Sequence, residues 1–271
     1  MRKWPPVTRE INSANNPAIK RLAQLEKPRA RRTEGLFVIE GLREIRFAWE
    51  AGYEFHQVFR CKDLADRPAT QEFLDALPAD APMYNVSRDV FAKIAYRENV
   101  DGLVVVARTR PHDLSQLNLS ANPFVLALET VEKPGNLGAM LRTADAVGVD
   151  AVIVCDPQTD IYNPNVVRAS LGCLFSCQIA VDSSANAQAF LAQRGIIAYS
   201  AAVTGTQPYH RADFTRPCAI VMGSEAFGLS EVWLRGADAQ IIIPMLGKAD
   251  SLNVSTSAAI LLYEARRQRG F

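Results

Sequence analysis

The chain has 271 residues, with 30 Lys and Arg against 29 Asp and Glu, 48% hydrophobic residues and 22% charged ones. That is enough apolar material for one large or two modest cores, and it excludes disorder, collagen and low complexity as whole-chain readings. No apolar run reaches the roughly 18–20 residues that span a bilayer, and the opening Met1–Pro6 stretch lacks the apolar segment of a secretory signal; a cytoplasmic protein with no membrane contact is expected.

In chain order, Asn15 to Leu25 reads as a basic amphipathic helix with Ile19, Leu22 and Leu25 on one side. Residues 27–34 are charged and contain Pro28, so the helix is expected to stop there. Leu36–Ile39 reads as a strand, Gly41–Gly52 as a helix and Gln57–Phe59 as a strand. A helix over 71–77, a strand over Met83–Val86 and a helix over Ser87–Ala95 with Ser87 as its cap follow. Leu103–Ala107 is a buried strand. Residues 108–122 lose periodicity, contain Pro111 and read as a linker. The second half begins with a strand over Phe124–Leu128 and a helix over Leu137–Val147 ended by Gly148. Ala151–Cys155 is a strand, and Asn163-Pro164 opens a helix to about Leu171. A helix over 185–194, strands over Ile196–Tyr199, Ala219–Met222 and Gln240–Ile243, and a long helix over Ser251–Arg267 complete the chain. Alternating strands and helices, with strands that are continuously apolar, predict an α/β protein with a mostly parallel sheet covered on both faces. The predicted division is 1–107, a linker 108–122, and 123–271.

The near-zero net charge hides an asymmetry. Residues 1–32 hold nine basic side chains against Glu10 and Glu26, a balance of +7, so the remaining 239 residues sum to −6. The C-terminus is basic again at Arg266, Arg267 and Arg269. Basic clusters at both ends suit a polyanion, or simply a solvated basic face. The five cysteines (Cys61, Cys155, Cys173, Cys177, Cys218) form no C-x-x-C, although Cys173 and Cys177 are spaced to share a helical face. With only three histidines in the chain, no metal site is expected and reduced thiols are.

Ligands of open α/β sheets sit at the carboxyl ends of strands, and three such loops stand out. Glu129 to Ala144 follows a strand and opens a helix; Asn136 suits its cap, and Arg142, six residues on, points to a similar side. Its glycines miss the dinucleotide fingerprint. Gly223 to Ser230 places Glu225 in a Gly-bounded turn, with Leu229-Ser230 where a nucleoside-triphosphatase loop requires Lys-Ser/Thr. Ile241 to Ala259 leaves a strand and opens a helix with five hydroxyl or amide residues within the seven positions 251–257, more than one cap needs.

These three runs, N-x-G-A-x-x-R-T-A, G-S-E-x-x-G-L-S and I-P-M-x-G-x-A-D-S-L-N-V-S, resemble in order and spacing the motifs of the SpoU family, RNA ribose 2′-O-methyltransferases of the trefoil-knot (SPOUT) class. The first half, through R-R-x-x-G-L-F-V-I-E-G (Arg31 to Gly41), resembles the L30e-like RNA-binding domain of the larger members. The resemblance implies a knotted C-terminal domain, a homodimer and S-adenosylmethionine (SAM) as methyl donor. By position it implies Met222, Gly223, Ile243, Met245 and Leu252 as cofactor-binding residues. Arg142, Asn136, Glu225, Ser251 and Asn253 become the catalytic candidates. Arg142 is suggested as proton acceptor, yet an arginine is normally a donor only, so its role as base or as stabiliser of the developing alkoxide stays open. Glu225 would hold Arg142 or Asn136, and the two asparagines would orient Arg142, the ribose or the donor. Lys20, Arg21, Arg29, Arg31 and Arg32 are the expected phosphate contacts, with Arg168 either a further one or part of an ion pair. The substrate expected is 23S ribosomal RNA; transfer RNA, and a non-catalytic RNA-binding factor that binds no SAM, are the alternatives.

Overall fold

The computed structural model describes residues 9–78, 82–96 and 101–271. Arg2 and Lys3, two members of the basic N-terminal cluster, lie outside them. The chain forms two compact units: 1–110 with 162–175, and 111–161 with 176–271.

The first unit holds a five-stranded mixed sheet. Its strands are β1 (Arg9–Ile11), β2 (Leu36–Glu40), β3 (Phe55–Arg60), β4 (Met83–Val86) and β5 (Leu103–Arg108), in the order β1-β4-β3-β5-β2. β5 lies antiparallel to both β2 and β3, while β1, β4 and β3 run parallel. Helices α1 (Pro17–Gln24), α2 (Pro28–Glu34), α3 (Leu42–Glu50), α4 (Pro68–Ala76) and α5 (Arg88–Ile94) flank it, and the Ser87 side chain caps α5 as expected. Ile19, Leu22 and Leu25 are buried with Val90, Phe91 and Ile94 against the sheet.

Helix α1 stops before Lys27 as expected, but the 27–34 stretch has a structure of its own. Pro28 starts a new helix at its first position, where a missing N–H costs nothing, and Gly35 ends that helix in the left-handed conformation. The turn thus formed explains a correction. Arg31 is 2% exposed, and its guanidinium donates to the carbonyls of Leu25 (2.7 Å) and Glu26 (2.8 Å). It satisfies the orphan carbonyls at the end of α1 and is not available to a phosphate. Arg31→Ala is expected to lower stability by about 2–4 kcal/mol, because it leaves buried acceptors unpaired and opens a cavity. Arg32→Ala, at an exposed position, should leave the urea midpoint unchanged.

The second unit holds seven parallel strands: β6 (Phe124–Glu129), β7 (Ala151–Cys155), β8 (Ile179–Asp182), β9 (Ile197–Ala201), β10 (Gln207–Pro208), β11 (Cys218–Met222) and β12 (Ala239–Ile242), ordered β10-β12-β9-β11-β6-β7-β8. β6, β7 and β11 are buried along their whole length, as continuous apolar strands between two helical layers should be. The register aligns Met222 of β11 with Leu128 of β6 and Ala201 of β9, and Ile241 of β12 with Ala201. The carboxyl ends of four strands therefore share one edge. Its helices are α6 (Pro134–Val147), α9 (Ser184–Gln193), α10 (Glu231–Gly236) and α11 (Val254–Arg269), whereas α7 (Pro164–Ala169) and all but the last residue of α8 (Cys173–Ser176) fall in the 162–175 stretch of the first unit. Helix α6 ends at Gly148 in the left-handed conformation, and α11 packs on it. The segment read as a linker is partly structured: Leu114 is buried in the second core and the carbonyl of His112 accepts from the N–H of Val181.

Residues 162–175, including α7, belong to the first unit although they interrupt the second in sequence. Tyr162 and Phe175 pack on Phe37, and the Tyr53 and Tyr162 hydroxyls meet at 3.2 Å. None of the five cysteines is in a disulfide, and burial pushes the thiols of Cys61, Cys155 and Cys218 up, that of Cys218 to about 11, so these three are inert packing groups.

Candidate active site

The site lies in the second unit, where three loops leave the shared edge of β6, β11 and β12. Lys133 is the N-cap of α6, with Pro134 at its first position. Asn136 therefore sits inside the first turn and does not cap the helix, which corrects the expectation and leaves its amide free. That amide donates to Glu225 Oε1 and accepts from Asn253 Nδ2 at 3.4 Å. Asn253 caps α11, its Oδ1 accepting from the Ser255 N–H at 3.0 Å and the Ser255 hydroxyl at 2.6 Å. Helix α11 begins at Val254, so Ser251 and Leu252 lie in the loop before it. One polar chain thus joins the starts of α6 and α11 to the loop after β11.

Arg142 and Ser251 stand apart from that chain. Arg142 is exposed on α6 and makes no hydrogen bond or ion pair among the described residues. Glu225 does not hold it; of the two partners expected for Glu225, it takes Asn136. The Ser251 hydroxyl donates to Asp250 Oδ1 at 3.1 Å.

Two residues escaped the sequence reading. Lys133 Nζ lies 2.5 Å from Glu225 Oε2, so both carboxylate oxygens are engaged, and this bond raises the ammonium's pKa. Glu129, at the end of β6, is buried. Its Oε1 accepts from the hydroxyls of Ser184 (2.7 Å) and Ser230 (2.6 Å), and its Oε2 accepts from the Ser230 N–H (2.7 Å). It ties the far end of the 223–230 loop to the sheet. The signal was present: a lone acid closing an apolar strand has to find donors.

The loops also form a backbone cradle. A Cβ at Gly223 would collide with the Gly228 carbonyl and the Leu229 nitrogen, and one at Gly205 would meet the Ile241 carbonyl. The backbones of Ser224 and Gly228 bond reciprocally at 2.9 and 3.0 Å, with Gly228 at φ +68°. Among the described residues, 245–252 make no backbone-to-backbone hydrogen bond, leaving their N–H and C=O groups open to a ligand. Met222 is buried, Ile243 and Met245 are half-buried, and Leu252 is 38% exposed. Phe227 and Leu246 are almost wholly exposed. Apolar side chains around free backbone donors and acceptors fit a compound with both an aromatic base and polar edges.

In the first unit, Lys20, Arg29 and Arg32 are exposed and unpaired among the described residues, and Arg21 pairs with Glu34 at 2.5 Å. Arg168, half-buried on α7, donates to Asn165 Oδ1 at 2.6 Å.

The chain matches the SpoU rRNA Methylase family over residues 123–263 and the MRM3-like substrate binding domain over 16–105. It is 28% identical to the 23S rRNA (guanosine(2553)-2′-O)-methyltransferase RlmP of Bacillus subtilis, covering 95% of this chain and 99% of that one. A crystal structure of an RNA 2′-O ribose methyltransferase superposes with a TM-score of 0.83 at 39% identity, over 96% of this chain and 99% of that one. The AdoMet-bound rRNA methyltransferase from Sinorhizobium meliloti superposes with a TM-score of 0.88 at 28% identity, over 96% and 98%. With its motifs grouped at one sheet edge and both halves matched, the chain belongs to the SpoU rRNA methylase family.

Proposed function

We propose that the protein transfers a methyl group from SAM to a ribose 2′-hydroxyl of 23S ribosomal RNA. The carrying observation is the Glu225–Asn136–Asn253 chain beside a backbone cradle, in a member of the SpoU family. The rRNA-acting relatives match both units over nearly their whole lengths, which favours ribosomal over transfer RNA.

When bound, SAM supplies a sulfonium methyl group for in-line transfer. Gly223 and the 245–252 backbone would hold it, with Met222, Ile243, Met245 and Leu252 supplying apolar walls. Holding the ribose oxygen in line is worth roughly 7–11 kcal/mol at best. Glu225, fixed through both oxygens, positions Asn136, and Asn136 with Asn253 orients the ribose. Arg142, uncommitted in the folded chain, binds the substrate side and stabilises the charge that develops on the 2′-oxygen. Ser251 adds a hydrogen bond at the mouth of the site.

Lys20, Arg29 and Arg32 supply phosphate contacts, which position RNA without reading sequence. Arg32→Glu is expected to weaken binding of a 23S transcript and to lower the salt slope by about one, with SAM affinity unchanged; filter binding across a salt series checks it. We further propose a trefoil knot in the C-terminal part, a homodimer, and a cytoplasmic location; the knot is supported by β12 lying between β9 and β10, the location by five cysteines of which none is in a disulfide. Mass spectrometry of ribosomal RNA from cells with and without the gene tests the function. One ribose methylation should disappear, and an unchanged profile overturns the reading.

A further inference from the structure

Tyr96, just past α5 in the first unit, is fixed without being covered. It is 40% exposed. Its backbone N–H donates to Glu40 Oε2 at 2.8 Å, and its hydroxyl is hydrogen-bonded to the Glu26 carboxylate. Burial and the Glu26 charge push the phenol up to about 12, so the hydroxyl remains a neutral donor. Both nearby carboxylates thus serve to hold the ring. The Arg168 guanidinium lies 5.9 Å from the ring centroid and is itself tethered to Asn165. Val38, Pro164 and Val167 complete a shallow apolar recess at the ring's edge.

The neighbourhood gives this ring a use. Glu26 stands in the turn between α1 and α2, so Tyr96 adjoins the helices that carry exposed Lys20, Arg29 and Arg32. An exposed, fixed ring joined to the turn of the helices that carry those cations, with a tethered guanidinium over its face, suits an unstacked base with its flanking phosphates. Structural pairing alone explains less: a ring needed only for packing would be covered, and an Arg168 needed only for Asn165 would not be set beside a ring.

We propose that Tyr96 and Arg168 form a nucleobase-stacking site that captures one unpaired base of the RNA substrate. The site rests on the RNA methyltransferase reading and adds to it a contact that distinguishes single-stranded from paired RNA. Tyr96 gives the π-face, and Arg168 gives a charge for the adjoining phosphate.

The test uses the full chain and a 23S rRNA transcript. Tyr96→Leu should weaken transcript binding about tenfold with an unchanged salt slope, because a stacked base releases no counterions. Tyr96→Phe should stay within about twofold, since the ring remains. Arg168→Ala should lower the salt slope by about one. SAM affinity by calorimetry should be the same in all three. Ultraviolet cross-linking of the wild-type complex, read by mass spectrometry, should find a nucleotide adduct on Tyr96 and covers the case in which Tyr96→Leu folds poorly. Wild-type affinity in a folded Tyr96→Leu variant, or adducts confined to other residues, overturns the stacking site while wild-type methylation of the transcript leaves the enzyme reading standing. Failure of the wild-type protein to bind or methylate the transcript overturns both.

Discussion

Arg142→Ala is expected to slow ribose methylation by about 10²–10³-fold, the scale set by removing one donor to a developing oxyanion. Two structural facts make this a clean measurement. Arg142 is exposed, and it makes no hydrogen bond or ion pair among the described residues. Its loss therefore leaves nothing unpaired in the fold, and the thermal midpoint should not move. SAM affinity should also hold, because the proposed cradle uses other loops. Single-turnover kinetics with saturating SAM and a 23S transcript separate the chemical step from binding. Arg142→Lys distinguishes the two roles left open by the sequence. A lysine keeps the charge but loses the two-pronged geometry, so a stabilising role predicts partial activity with an unshifted pH profile. A proton-accepting role predicts a profile displaced toward the lysine's lower pKa. A wild-type rate in the alanine variant would remove Arg142 from the mechanism.

The other large effect concerns the cradle. Gly223→Val should weaken SAM binding by about 10–100-fold, since overpacking typically costs 1–3 kcal/mol and each 1.4 kcal/mol is a factor of ten. The added carbons meet the backbone of Gly228 and Leu229, which are tied to Ser224 and to the sheet and cannot yield as a side-chain tip would. Gly135→Ala is the control. Its Cβ meets nothing within 4 Å, and the position is in the first turn of α6. Calorimetry on both variants, with circular dichroism to verify folding, should show the loss only at Gly223. Equal affinities would mean that the donor is held elsewhere.

Much of this site was visible in the sequence because it violates local economy. Five hydroxyl and amide residues around the start of α11 exceed what one helix start needs, and Asn253 proves to be the cap while also reaching Asn136. Continuous apolar runs identified β6, β7 and β11, since buried parallel strands carry no polar alternation. The failures share a cause as well. Pro28 looks like a breaker in the sequence because a local rule does not say whether a proline ends one helix or starts the next. Asn136 was read as a cap because only the tertiary fold brings Glu225, 89 residues away, to its amide. Arg31 looked like its exposed neighbours; its burial depends on how α1 and α2 meet. The edge strands β1 and β10, of three and two residues, are too short to carry a periodic signal.

The membership of residues 162–175 restricts how this protein can be taken apart. A fragment ending at residue 110 would strip Phe37 of Tyr162 and Phe175, and would take from the Tyr53 hydroxyl its neighbour Tyr162. The bare apolar wall would invite aggregation, and the complementary fragment would carry a loop built to pack on an absent host. A cut at 110 therefore divides the first unit, which needs residues 162–175 to complete that wall.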